Sequence, residues 1–66
     1  MKITLNGELR EFPEPQSVET LLVAAGYAQR RVAVEVNREI VPKSRHAEHA
    51  LADNDRVEII QAIGGG

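Results

Sequence analysis

Four apolar residues, Val18, Leu21, Leu22 and Ala25, recur at i, i+3, i+4 and i+7, which stripes one face of a helix running from about Val18 to Ala25. So short a helix is unstable alone in water, and its stripe has to be covered by another element. Ser17 suits its N-cap and Gly26 the left-handed position just past its end. Pro13-Glu14-Pro15 isolates it from what precedes, because two prolines remove ladder donors and restrict the residues before them.

The cover comes from strands. Met1, Ile3 and Leu5 alternate with Lys2, Thr4 and Asn6, the period of a strand with one buried face. Asn6-Gly7 favours a tight type I′ hairpin turn, since both central residues need positive φ. The return strand is expected at about Glu8 to Phe12, where Leu9 and Phe12 cannot share a face without a bulge or an early strand end. Val32-Ala33-Val34-Glu35-Val36 alternates again, with three β-branched residues on one face. Asn37-Arg38-Glu39 turns into a short Ile40-Val41 strand ended by Pro42. Between Lys43 and Ala52 the pattern weakens to one irregular helical turn, and after the Asp53-Asn54-Asp55 turn cluster the last strand is Arg56 to Ile60. The expectation is one α+β domain, a mixed sheet of four to five strands with a single helix across one face.

A chain of 66 residues without cysteine has no disulfide staple and little room for a catalytic cleft. It also has no cysteine nucleophile. Eight Lys plus Arg against ten Asp plus Glu argue against a domain whose affinity comes from neutralising phosphates, so nucleic acid is discounted as a partner. No apolar run has the length of a signal peptide or a membrane span, which makes the cytoplasm the expected compartment and leaves no membrane partner.

Side chains offer few chemical sites. His46 and His49 form an H-x-x-H pair, but with no cysteine nearby they read as surface histidines and no metal is expected. Arg30-Arg31 and Lys43-Ser44-Arg45 read as solvated loops whose charge is diluted by flanking acids. Glu8, Glu11, Glu14 and Glu19 are scattered rather than paired for acid–base work.

What remains is the end of the sequence, Gly64-Gly65-Gly66. One reading is a frayed end or an expression scar. The other is a tail built for a partner's narrow channel, where residues without Cβ fit and others clash. Residues 1–62 then form the domain and 63–66 the tail; counted from Ile60, the last six residues reach at most roughly 20 Å. A terminal carboxyl group ordinarily titrates at about pH 3.3–3.7 and is ionised at neutral pH. As a carboxylate it is a poor acyl electrophile, but it can attack the α-phosphorus of ATP and form an acyl adenylate that a sulfur nucleophile opens.

The whole chain resembles the sulfur carrier proteins of thiazole biosynthesis, the ThiS family. The resemblance rests on residues 1–7 (MKITLNG), 17–22 (SVETLL), 34–42 (VEVNREIVP) and 53–59 (DNDRVEI), together with the terminal glycines. It implies a ubiquitin-like β-grasp fold and no enzymatic activity of the chain's own. It further implies adenylation of Gly66 by an activating enzyme using ATP and magnesium, neither bound by the carrier itself, and conversion of Gly66 to a thiocarboxylate. Sulfur would come from cysteine through a desulfurase, and thiazole synthase would consume it. Gly64 precedes the usual glycine pair, a departure expected only to loosen the tail.

The family's use of an apolar docking surface makes Ile60, Ala33 and Ile63 docking candidates. Ile60 can equally cap the edge of the core. Two other functions fit the pattern, the sulfur-carrying small subunit of molybdopterin synthase and a β-grasp binding module with no terminal chemistry.

Overall fold

The computed structural model describes residues 1–61. In chain order these form β1 (Lys2–Leu5), β2 (Glu8–Glu11), α1 (Val18–Ala24), β3 (Val32–Val36), β4 (Glu39–Val41), a 3-10 turn at Lys43–Arg45 and β5 (Arg56–Gln61). The five strands make one sheet in the order β2-β1-β5-β3-β4. Within it β1 and β5 run parallel, and the other neighbours are antiparallel. The sheet is therefore mixed, as expected.

Alternation in the sequence decides which face is covered. Ile3 and Leu5 of β1, Val34 and Val36 of β3 and Val57 and Ile59 of β5 are buried on one side, where they meet Val18, Leu21 and Leu22 of α1. The apolar stripe of the helix is thus the lid of the core. β2 resolves the conflict between Leu9 and Phe12 without a bulge. Leu9 pairs with Thr4, so it points to the open face and is 67% exposed, while Phe12 lies past the strand end and packs partly buried against the core.

Both hairpin turns use left-handed residues. Asn6 and Gly7 have φ of 49° and 83°, and Asn37 and Arg38 have φ of 51° and 72°. Each asparagine adds a second function. The Asn6 side-chain oxygen accepts from the Ile59 amide at 2.8 Å. The Asn37 side chain accepts from the Arg56 amide at 2.9 Å and donates to Asp55 at 3.0 Å. These bonds tie the turns to β5, the last of the described strands, and to the residue before it.

The helix is closed at both ends. Ser17 and Thr20 form a capping box, with Ser17 Oγ accepting from the Thr20 amide at 3.1 Å and Thr20 Oγ1 accepting from the Ser17 amide at 2.8 Å. The carbonyls of His49 and His46 take the next two free amides, those of Val18 and Glu19, each at 3.0 Å. At the other end Tyr27 donates to the Leu22 carbonyl and Gly26 to that of Val23, with Gly26 at φ 87°, the pattern of a Schellman motif. The weakly patterned segment after Pro42 is therefore ordered by what it does for the helix.

Candidate functional site

The part of the fold nearest the glycines is β5. It lies inside the sheet between β1 and β3, and its pairing with β3 continues to Val32 opposite Gln61, the last described residue. β1 pairs with it only at Arg56 and Val57, so its outward end is held by β3 and by the bond from the Ile59 amide to the Asn6 side chain. Of the candidate residues read from the sequence, Ile63, Gly64, Gly65 and Gly66 lie outside the described residues, whereas Ile60 and Ala33 lie within them.

Ile60 and Ala33 are direct cross-strand partners on the face away from α1. Ile60 is 51% exposed, while Val57 and Ile59 of the same strand fill the core. Two residues along the strand, Glu58 pairs with Glu35, which in turn pairs with Ile40 on its other side, so the open face is a mixture of apolar and acidic side chains.

Beside this end of the sheet a groove of about 760 Å³ runs between α1, the connector after it and the 3-10 turn. Leu22, Val23, Tyr27 and Ile60 give it apolar walls, and Gln61 stands at its edge. Arg30, Arg31 and Lys43 also line it. These cations, expected in separate solvated loops, are brought together by folding. The cause is visible in the bonds from Glu19 to the His46 carbonyl and from Tyr27 to the Leu22 carbonyl, which dock both loops against the helix.

The histidine pair also departs from expectation. His46 is not a surface residue but is 8% exposed, with Nε2 3.1 Å from the Val41 carbonyl. A carbonyl only accepts, so Nε2 carries the hydrogen. His49 is partly exposed and contributes its backbone carbonyl to the helix cap. Among the described residues no group of three or more His, Cys, Asp or Glu is placed to hold a metal ion, and no helix is long and apolar enough to cross a membrane.

Residues 3–66 match the model of the ThiS family. The chain belongs to this family of sulfur carrier proteins. It is 32% identical to the sulfur carrier protein ThiS of Escherichia coli, with both chains covered completely. It is also 52% identical to a thiazole synthase of Paramagnetospirillum magneticum, of which it spans 20%. A thiamine biosynthesis protein (ThiS) from Geobacter metallireducens superimposes with a TM-score of 0.85 at 33% identity, each chain covered in full. The five-stranded mixed sheet with one helix is thus the ubiquitin-like β-grasp fold of ThiS. The Bacillus subtilis sulfur carrier protein ThiS is likewise similar, at 34% identity over 97% of this chain and 98% of its own.

Proposed function

We propose that this ThiS chain carries sulfur as a thiocarboxylate on Gly66. The observation that carries the reading is the family match, which runs through the glycines to residue 66. In the first step a carboxylate oxygen of Gly66 attacks the α-phosphorus of magnesium-bound ATP; the new O–P bond forms as the bond to the β-phosphate bridge breaks and pyrophosphate leaves. In the second step a sulfur nucleophile, a persulfide supplied by a cysteine desulfurase, attacks the acyl carbon and AMP departs. Reductive cleavage of the acyl disulfide by a thiol leaves the thiocarboxylate.

The fold supports the division of labour. β5 holds the chain as far as Gln61, and the five residues beyond it span at most about 17 Å, enough to enter an activating enzyme's site while the domain stays outside. Gly64 and Gly65 pass where a Cβ would clash. Thiazole synthase is the proposed acceptor. Two thiazole synthases, from Paramagnetospirillum magneticum and Magnetococcus marinus, each contain a stretch related to this entire chain, and this sharing of one polypeptide supports a working contact between carrier and synthase. Ile60 and Ala33, with Ile63, are proposed to dock these enzymes.

The test is the intact mass of the purified chain after incubation with an activating enzyme, magnesium-ATP, cysteine and a desulfurase, beside a chain lacking Gly66. Exchange of one oxygen for sulfur in the full chain alone is the expected result. No exchange, with the same enzymes competent on another carrier, overturns the reading.

A further inference from the structure

We infer that the groove lined by Arg30, Arg31 and Lys43 is a second docking surface, which receives an acidic segment with apolar anchors from the enzyme that adenylates the tail. The inference rests on the carrier function proposed above and adds to it a partner chemistry and a charged groove that adjoins Ile60 and Ala33 of the open face.

The groove inverts the charge of the rest of the molecule. The chain as a whole is acidic, with ten Asp plus Glu against eight Lys plus Arg. The groove gathers three of those eight cations, Arg30, Arg31 and Lys43, and one acid, Glu19. Such a local inversion draws an acidic partner segment to this spot and repels it elsewhere.

Its walls are apolar and open. Val23 is 62% exposed on the solvent side of α1 and Ile60 51% exposed at the end of β5, and both line the groove together with Tyr27. Leu22, Val23, Tyr27 and Ile60 supply the apolar surface that desolvates an interface, and the three cations supply its charge.

The groove is also pre-organised. The connector that presents the arginines is a closed turn: Gly26 and Gln29 take φ of 87° and 64°, Arg30 donates to the Tyr27 carbonyl at 3.1 Å, and Tyr27 packs against the core. Lys43 is held by the 3-10 turn, and the His46 carbonyl that follows it accepts from Glu19 at 3.0 Å. Cations fixed in this way lose little backbone freedom when a partner arrives. Because Gln61 stands at the same groove, an enzyme that swallows the tail necessarily passes beside it.

The experiment measures KM and kcat of the activating enzyme with this chain as substrate, by pyrophosphate release, at low and at physiological salt. Arg31→Glu/Lys43→Glu is compared with the wild type and with Lys2→Glu/Arg10→Glu, which makes the same change in net charge on exposed residues outside the groove. The expected result for the groove variant is a KM raised by about 10-fold or more at low salt, a kcat retained, a weaker salt dependence and an unchanged melting temperature. A milder Arg31→Gln/Lys43→Gln chain should move in the same direction and guards against misfolding of the first.

Equal KM for the groove variants and the wild type overturns the inference while leaving the carrier function intact, because the wild type still releases pyrophosphate. An equal rise in the Lys2→Glu/Arg10→Glu control overturns it as a net-charge effect. Shifts of the Arg31 and Lys43 resonances on addition of ATP or inorganic pyrophosphate alone, or self-association lost in the groove variant, assign the groove to a small anion or a second copy and likewise overturn it. Failure of the wild type to react overturns both.

Discussion

Ile60 stands opposite Ala33 across the β3–β5 ladder, on the face that the helix leaves open, one residue from the buried Ile59. Adjacent isoleucines of one strand thus have opposite duties. Ile59→Ala, at a site only 7% exposed, should cost about 2–5 kcal/mol in urea unfolding. Ile60→Asp should change stability by less than about 1 kcal/mol and weaken binding to the activating enzyme. A large loss of stability in Ile60→Asp would assign the side chain to the core and remove it from the docking surface.

Asn6 joins a turn geometry to a tertiary bond, and two substitutions separate them. Asn6→Gly keeps positive φ but loses the acceptor for the Ile59 amide, with an expected loss of about 1 kcal/mol. Asn6→Ala loses the same acceptor and holds a side chain less tolerant of the left-handed region, so it should lose roughly 1 kcal/mol more. If the two variants have the same urea midpoint, the turn conformation contributes nothing measurable.

Gly26 isolates conformational cost in the same way. A Cβ built there meets nothing within 4 Å, yet φ is 87°. Gly26→Ala should therefore destabilise by about 1 kcal/mol through backbone strain alone, without a cavity or clash. At the other end of the helix Ser17→Ala removes the cap and should cost about 1 kcal/mol. The two changes lie at separate ends of α1, and thermal unfolding of the double variant should show their effects adding.

His46 makes a prediction that its sequence context concealed. Its ring is buried and its Nε2 donates to the Val41 carbonyl, so His46→Leu removes a buried hydrogen bond between this segment and β4. A loss of about 1 kcal/mol is expected, and because the segment after Pro42 also caps α1, amide exchange at Val18 and Glu19 should accelerate. Unchanged exchange there would show that the segment is held without the histidine.

The elements are legible in the sequence where a period is repeated. The stripe Val18-Leu21-Leu22-Ala25 marks the helix, and alternation in Met1–Leu5, Val32–Val36 and Arg56–Ile60 marks the three inner strands with their buried faces. The segment from Lys43 to Ala52 is legible only as irregular, because its order comes from long-range bonds such as Glu19 to His46 and Leu51 to Gln16, which leave no periodic trace. The same reason hides the groove: Arg31 and Lys43 belong to separate loops of the sequence and come to line one groove only through packing. Ile60 has a legible face but an illegible role, since alternation tells which side a residue points to and not what covers that side.

The tail supplies the last prediction. On the function proposed above, adenylation acts on one carboxylate at the end of a reach fixed by the chain, and one added residue would shift that group by about 3.3–3.6 Å and place a Cβ in the enzyme's channel if the residue is alanine. A chain extended by Ala after Gly66 should therefore melt at the same temperature as the original and bind the activating enzyme through its domain, but should gain no sulfur in the intact-mass assay. Extension by Gly keeps the channel passable and moves only the carboxylate, so it tests position apart from bulk. If both extended chains are thiocarboxylated at the original rate, the register between domain and terminus is irrelevant, and the glycines serve only to let the tail through. If Gly is tolerated and Ala is not, the channel selects for the absence of a side chain. If neither is converted, the enzyme measures distance from the domain, and the β3–β5 ladder that fixes Gln61 is the ruler.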